Sequence, residues 1–445
     1  MTSLIMTDGL SPADASARFR TRRKAVMATT SSPIFITSAP HGPTKTAAYA
    51  NLYVPVFQDP VALFLCGITQ LGYVLQLDPT TQTTTVYLPK KDPTAEFWEG
   101  AAFGYDAADD VDQIRKTCGI DVVCDIAMLR DHVTAQATTH GQLTSFWRAG
   151  SGRVFADHHT QFRQRLKRWA SVPIHNCQDA YWNLQLVLDS TDIAQLRQAV
   201  SYTATAFQAV ASQSFESETA LAGTLIGELL HHSADGLSFS PIVANEKNAT
   251  VLHYTANNAP LKPNTLTLLD FGVRVGNMHS DVSRVIPVSG RFNPLQCQLM
   301  AIVLAAQAHV ESLATPGVTI NDLNTACWDH LNAALSAFRL AGGVATLPYD
   351  KAPHGVSHMI GYSVHDGDPF RAYKKHALVP GNVISNEPGI YGYFEAKIDG
   401  VWYKEWIGIR LEDDLLITPG GCENLTKDIP KTPEQIERLH QRHTH

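Results

Sequence analysis

Hydrophobic and polar positions follow different patterns in the two parts of the chain. Before about residue 175, short apolar runs are separated by turn signals. VALFLCGI and YVLQLDP are typical of strands, and TTQTTTVYLPKKD predicts a turn that leads into another strand. We therefore expect a small α/β domain over residues 1–180.

From residue 190 onward, long helical patterns alternate with β-like runs. The helical patterns cover 190–215, 217–233, 293–313 and 320–341. Strand pairs and separate helices predict an α+β domain over residues 181–445, with helices covering a curved antiparallel sheet. VPIHNCQDAYWNLQ, between the two parts, has no strong periodicity and is interpreted as a connector.

Composition narrows the possible partners. The 445 residues are too many for one ordinary core, which agrees with two domains. A formal net charge of −7 provides no basic stripe of the kind that nucleic-acid binding needs. Since no stretch approaches about 18 uninterrupted apolar residues, we expect no membrane span.

The expected location is the cytoplasm. The segment MTSLIMTDGLSPADAS lacks the charged start and the apolar core of a signal peptide. Seven cysteines, without a CxxC pair, favour a reducing compartment.

Two aspartates interrupt an apolar, strand-like segment, LLDFGVRVGNMHSDVSR at 268–284. Asp270 and Asp281 would lie on opposite faces of a continuous strand because their spacing is odd. Gly276–Asn277 predicts a turn, however, and a hairpin would bring both carboxylates to one face. Exposed hairpin aspartates are the alternative. If the two are close, they repel unless one holds a proton or a cation lies between them.

Histidines cluster in HGVSHMIGYSVHD, residues 354–366. His354, His358 and His365 lie within this segment, and its glycines favour a loop or strand over a helical zinc motif. One histidine alone is more often structural, but three together favour a site. A surface cluster is the alternative.

Two glutamates occur at unusual places in β-like runs. Glu387 precedes Pro388, which favours extended backbone at the glutamate. Glu412 follows Arg410 by two residues inside an apolar run. Each could be an ordinary carboxylate at a strand end. Together with the aspartates and a histidine, they form a ligand set suited to two divalent ions such as Mn²⁺, Co²⁺ or Zn²⁺.

The chain resembles the pita-bread metallopeptidase family, which includes aminopeptidase P and prolidase. The resemblance is carried by LHY at 252–254, LLDFG…SDVSR, HGVSHMIGYSVHD, PGNVISNEPGIY and GIRLEDD. It implies a duplicated α+β catalytic domain behind a smaller N-terminal α/β domain. It also implies two divalent metal ions, Mn²⁺ first, and a proline-containing peptide as substrate; we further expect a homodimer or homotetramer.

The resemblance implies a role for each matching residue. The implied metal ligands are Asp270, Asp281, His358, Glu387 and Glu412, with Asp281 and Glu412 bridging. The implied catalytic residues are Glu387, His365, His253, His354 and Arg410. The implied substrate contacts are His253 and His365, with Tyr391 supporting them.

Two departures from the family pattern bear on substrate. Ser385–Asn386 replaces the more usual Thr-Val, at positions that we expect not to touch a ligand. Tyr373 stands where prolidases often carry an arginine that holds a dipeptide carboxylate, although Arg371 and Lys374 are near. We therefore expect an Xaa-Pro aminopeptidase first and an Xaa-Pro dipeptidase second. A metal-free, creatinase-like hydrolase and a non-catalytic binding module are less favoured, because neither needs four neighbouring carboxylates.

Overall fold

The chain divides into two units. The computed structural model describes residues 4–40, 58–148, 157–232, 235–368 and 371–441. One unit comprises Met1–Gln185 with Gly367–Arg371, and the other comprises Leu186–Asp366 with Ala372–His445. The domain limits predicted from the sequence, 1–180 and 181–445, are separate from this division and remain predictions.

The amino-terminal unit contains a six-stranded mixed sheet, ordered β4-β3-β2-β1-β5-β6. Its strands are β1 Ile34–Thr37, β2 Val74–Asp78, β3 Thr83–Leu88, β4 Val122–Asp125, β5 Leu143–Ser145 and β6 Ile174–Asn176. Its helices are α1 Pro12–Met27, α2 Pro60–Cys66, α3 Pro93–Glu99, α4 Ala108–Cys118, α5 Leu129–His140, α6 His158–Trp169 and α7 Gln178–Gln185. Phe35, Tyr87 and Val133 are among the buried side chains where the sheet meets its helices.

The strand predicted over VALFLCGI is wrong, because this segment forms helix α2. Asp59 caps the helix by accepting a hydrogen bond from the Val61 amide, and Pro60 occupies the first turn. Gly67 ends it in the left-handed conformation at φ 70°. A short apolar run buried on all sides carries no period, so only these caps could have distinguished the helix from a strand.

The predicted connector also contains regular structure. Strand β6 and helix α7 both lie within it. Helix α7 has only two turns, which is too short for its sequence to show a clear helical period.

The second unit is built from antiparallel strand pairs and long helices, which confirms the α+β prediction. Its helices are α8 Ser190–Ala211, α9 Glu218–His232, α10 Pro294–Leu313, α11 Ile320–Leu340 and α12 Pro433–Gln441. Its strands are β7 Ile242–Asn245, β8 Leu266–Phe271, β9 Arg274–Val275, β10 Met278–His279, β11 Val282–Pro287, β12 Val344–Thr346, β13 Val383–Asn386, β14 Gly389–Ile398, β15 Val401–Arg410, β16 Asp413–Thr418 and β17 Gly421–Asn424. The sheets are ordered β10-β9, β11-β8-β7, β12-β14-β15 and β13-β16-β17.

The predicted hairpin is present. Strand β9 pairs with β10 around a turn at Gly276–Asn277, and Gly276 adopts the left-handed φ of 57° that such a turn requires. Farther from the turn, β8 pairs with β11 in the same register, so that Asp270 lies opposite Ser283. Asp281 is therefore the diagonal neighbour of Asp270 on one face of the ladder.

A buried ion pair fixes two of these strands to each other. Arg284 of β11 and Asp413 of β16 are both fully buried, and Nη2 of the arginine donates to Oδ1 of the aspartate at 2.7 Å. Lys431 also contacts this carboxylate. The pair holds together the strand starts that follow Asp281 and Glu412, so the fold itself brings these two acids close.

No helix in the described part of the chain is both long and apolar enough to cross a membrane.

Candidate metal centre

Five predicted ligands converge from four places in the second unit. Asp270 lies in β8 and Asp281 immediately before β11, so the hairpin supplies both aspartates. Glu387 follows β13, and Glu412 precedes β16. His358 lies in the loop beside β13, where the neighbouring Met359 pairs with Ile384.

The two glutamates face each other across an interruption in a long strand pair. Strand β13 pairs with β16 up to Asn386 opposite Asp413, and β14 resumes with Gly389 opposite Arg410. Continuing this register across the interruption places Glu387 opposite Glu412. Pro388 cannot donate a ladder hydrogen bond, and its carbonyl accepts from the amide of residue 411 at 3.2 Å.

His358 lies among three of the carboxylates. Its Nε2 atom is 3.5 Å from Asp281 Oδ2, 3.5 Å from Glu387 Oε1 and 3.8 Å from Glu412 Oε1. Its Nδ1 atom lies 3.1 Å from the Met359 carbonyl, which can only accept a hydrogen bond, so Nδ1 is the donor and Nε2 is the nitrogen that would bind a metal.

The donor atoms form overlapping groups in which all members lie within 4.8 Å of one another. One group is Asp270, Asp281 and Glu412, and a second is His358, Glu387 and Glu412. Glu412 belongs to both, as expected for a bridging carboxylate. A third group joins Asp281 and His358 to His365.

The pKa values of three predicted ligands are raised by burial and by the neighbouring carboxylates. Burial raises the pKa of Asp281 well above its usual range, and Glu412 and Asp270 raise it further. Burial likewise raises the pKa of Glu412, with Glu387 and Asp270 adding to the effect. The pKa of Glu387 is raised to about 7 by burial, against the opposing influence of Arg410. In the metal-free chain, protons therefore compensate charges that a cation would otherwise compensate.

These residues fit a pair of divalent ions. The donors are four carboxylates and one imidazole, a set of hard oxygen ligands with one nitrogen. Asp270 Oδ1 is buried and accepts no hydrogen bond within the described ranges, as expected of an oxygen reserved for a ligand.

Arg410 and Ser283 orient two of the predicted ligands, Asp270 and Glu412, through hydrogen bonds. Arg410 donates from Nη2 to Asp270 Oδ2 at 2.6 Å and from Nε to Ser283 Oγ at 2.9 Å. Ser283 in turn donates to Glu412 Oε2 at 2.7 Å. A single buried guanidinium thus positions Asp270 directly and Glu412 through Ser283.

Ser385 contacts two of the predicted ligands, and the expectation that it would not is wrong. Its hydroxyl accepts from the His358 amide at 3.0 Å and donates to Glu387 Oε1 at 3.3 Å. Sequence reasoning also missed Ser283. The available signal was the presence of two serines inside apolar strands, where a buried hydroxyl needs a hydrogen-bond partner.

His354 lies beside the centre. Its Nε2 atom is 2.9 Å from the Tyr391 hydroxyl, and its Nδ1 atom is 3.7 Å from Glu387 Oε2. Burial and the nearby Arg410 lower the pKa of His354 to about 4. The imidazole is therefore neutral at physiological pH and can exchange hydrogen bonds without adding charge.

The other predicted histidines differ in position. His365 is exposed, and its ring meets the His358 ring edge-on with a centroid separation of 4.3 Å. His253 is exposed in the turn after residues 246–250 and belongs to none of the donor groups. Its charge helps to lower the pKa of His354, so it lies near the centre rather than in it.

Two family models match the chain. The model described as metallopeptidase family M24 matches residues 194–419, and the model described as aminopeptidase P, N-terminal domain, matches residues 19–143. All five predicted metal ligands lie within the first of these segments.

Relatives and solved structures are similar over different lengths. Xaa-Pro aminopeptidase 2 of Streptomyces coelicolor is 32% identical over 274 residues, which are 58% of this chain and 58% of that protein. The chain thus spans somewhat over half the length of that relative. The Xaa-Pro aminopeptidase of Haemophilus influenzae is 28% identical over 86% of this chain and 88% of its own. Aminopeptidase P of Escherichia coli, solved with the inhibitor Pro-Leu, has a TM-score of 0.80 at 26% identity and covers 96% of this chain and 98% of its own.

Replacing the shared carboxylate tests the centre. We expect Glu412→Gln to lower the amount of Mn²⁺ bound by the chain, because the amide keeps the shape but removes a charge common to two donor groups. Elemental analysis after gel filtration measures the change, and circular dichroism checks the fold. Glu423→Gln, which removes only a partly exposed ion pair with Arg197, is the matched control. Equal metal content in all three proteins would contradict the assignment.

Metal binding should release protons. Glu387, Asp281 and Glu412 have raised pKa values in the metal-free chain, so metal must displace protons from them at neutral pH. We expect the apparent affinity for Mn²⁺ to fall as the pH decreases from 8 to 6, through the pKa of about 7 at Glu387. Calorimetry in buffers of different ionisation enthalpy counts the protons released. Affinity that is constant over this range, with no proton release, would refute the expectation.

Proposed function

The chain belongs to metallopeptidase family M24, and we propose that it is an Xaa-Pro aminopeptidase, which hydrolyses the bond between a first residue and proline. The observation that carries this proposal is the cluster of four carboxylates, three of them buried, and one buried imidazole in two overlapping donor groups. It is supported by two relatives named Xaa-Pro aminopeptidase, to which the chain is similar over most of their length.

The proposed ligand assignment follows the donor groups. Asp270 would help to hold one ion and His358 with Glu387 the other, while Asp281 and Glu412 would contribute to both. Mn²⁺ is the proposed metal, since carboxylate-rich sites suit it, with Co²⁺ or Zn²⁺ as substitutes. When bound, two such ions polarise the scissile carbonyl and acidify water.

The chain's own residues would orient substrate and move protons. Glu387, whose Oε2 atom lies 3.7 Å from His354 Nδ1, is the residue proposed to accept a proton and pass it towards the leaving proline nitrogen. His365, exposed beside His358, and His253 are the proposed contacts to the scissile peptide. Neutral His354, supported by Tyr391, would exchange hydrogen bonds with Glu387.

Two residues support an aminopeptidase over a dipeptidase. A dipeptidase must hold the free carboxylate of its substrate's proline, and the residues at the expected position are poorly suited to do so. Tyr373 is 4% exposed, so its side chain is packed inside rather than presented to substrate. Lys374 is near enough to influence the pKa values of His354 and Glu387, but it is a flexible point charge without a bidentate fork. Neither of these two residues offers a dipeptide carboxylate the rigid bidentate partner that suits it best.

We propose a cytoplasmic location and a homodimer or homotetramer. The location is supported by the seven cysteines, all of which are free thiols. The oligomer rests on resemblance alone, and light scattering on the purified chain tests it.

Peptide length distinguishes the two proline-directed activities. We expect the Mn²⁺-loaded protein to release the first residue from Xaa-Pro-Xaa tripeptides and longer peptides, and to cleave Xaa-Pro dipeptides more slowly. Mass spectrometry of the products measures this, with Xaa-Ala-Xaa peptides as the control. Activity confined to Xaa-Pro dipeptides would indicate a dipeptidase, and inactivity on every X-Pro bond would defeat both assignments.

His365 tests the division between ligands and substrate contacts. If its imidazole stabilises developing charge, His365→Ala should reduce kcat by roughly 10²–10³ while bound metal stays unchanged. Steady-state kinetics and elemental analysis are measured on the same preparation. His376→Ala, which removes another exposed histidine of the same unit, serves as the control. Loss of metal in His365→Ala would instead make it a ligand, as its grouping with Asp281 and His358 allows.

A further inference from the structure

A second group of metal-ligand side chains lies in the amino-terminal unit. Asp59, His158 and His159 bring one carboxylate oxygen and two imidazole nitrogens within 4.8 Å of one another. We propose that these three side chains bind one divalent transition-metal ion, Zn²⁺ by preference, at a site independent of the carboxylate centre.

The ligand atoms converge on one point. Asp59 Oδ2 is 3.0 Å from His159 Nε2 and 3.2 Å from His158 Nε2. Tetrahedral zinc with bonds of 2.0–2.1 Å places its ligand atoms about 3.3–3.4 Å apart. The two nitrogen-to-oxygen distances differ from that spacing by a few tenths of an ångström, and the two nitrogens lie within 4.8 Å of each other.

Hydrogen bonding alone leaves this group incomplete. His159 Nε2 makes a hydrogen bond with Asp59, whereas the buried Nε2 atom of His158 lies 3.2 Å from the same oxygen without hydrogen-bond geometry to any described residue. Because both nitrogens approach the same oxygen, an ion between them would satisfy all three atoms together. A buried polar atom without a partner otherwise carries an energetic cost.

The side chains are fixed before any ion arrives. Asp59 Oδ1 accepts from the Val61 amide at 2.9 Å as the cap of α2, which turns Oδ2 towards the histidines. His159 is fully buried against the edge of Phe146, with ring centroids 4.8 Å apart.

The three donor atoms at this site, one oxygen and two nitrogens, favour a transition metal. Two imidazoles and one carboxylate suit Zn²⁺ and its neighbours in the transition series better than Mg²⁺ or Ca²⁺, which prefer oxygen ligands. Three protein ligands leave a fourth position for water. The ion would tie the start of α2 to the start of α6, two segments that are distant in sequence.

Metal counting tests the site without reference to peptidase activity. The full-length chain is saturated with Zn²⁺, passed through gel filtration and analysed for zinc. We expect the parent chain to exceed Asp59→Asn by about one ion per chain, and the same difference to persist when both proteins also carry Glu412→Gln. Because the second comparison weakens the carboxylate centre, failure of the proposed peptidase would leave this result unaffected.

A milder variant covers the case in which Asp59→Asn fails to fold. His158→Gln removes one half-buried imidazole and keeps the bond between Asp59 and His159. We expect its zinc affinity at this site to fall by more than about tenfold, the smallest effect usual for outer-shell partners of a metal. His175→Gln, at an exposed histidine of β6, is the matched control. Equal zinc content in parent, Asp59→Asn and His158→Gln would overturn the proposal, as would an equal loss in His175→Gln.

Discussion

The repulsion among four closely spaced carboxylates, three of them buried, is the constraint on which the second unit depends. Their desolvation and mutual charge raise the pKa values of Asp281, Glu412 and Glu387. No fold would gather these acids for stability alone, because uncompensated buried charge is costly. The surrounding strands must therefore hold the acids together in the absence of metal. The fully buried Arg284–Asp413 pair does so by joining β11 to β16 at the strand starts beside Asp281 and Glu412.

The sequence predicts those parts of the centre that lie close together along the chain better than those that are far apart. Asp270 and Asp281 belong to one hairpin, and the turn at Gly276–Asn277 together with the two-residue strand period was enough to bring them together. Glu387 and Glu412 meet through the pairing of β13 with β16, which no local pattern specifies. Their assignment came from the resemblance to a family. The roles of His253, His365 and Tyr391 rest on that resemblance as well.

The failures of sequence reasoning share a physical origin. The sequence of helix α2 predicts a strand because burial on every side removes the polar positions that would reveal a helical period. The sequence does not indicate that Ser385 lies near the predicted ligands, because an uncharged hydroxyl is not recognisable as part of a metal centre. Its hydrogen bonds nevertheless orient His358 and Glu387. The group formed by Asp59 with the two histidines of α6 joins distant segments of the chain, and only the fold reveals it.

The centre also explains why an arginine, rather than a lysine, occupies position 410. The guanidinium reaches Asp270 through Nη2 and Ser283 through Nε, and Ser283 passes the constraint on to Glu412. A third nitrogen, Nη1, lies 3.4 Å from the hydroxyl of Tyr391. A lysine would supply the charge but not the rigid fork, so it could not fix a carboxylate and a hydroxyl on different strands at once. The positive charge reduces the repulsion among the acids, and the planar geometry sets where their oxygens converge.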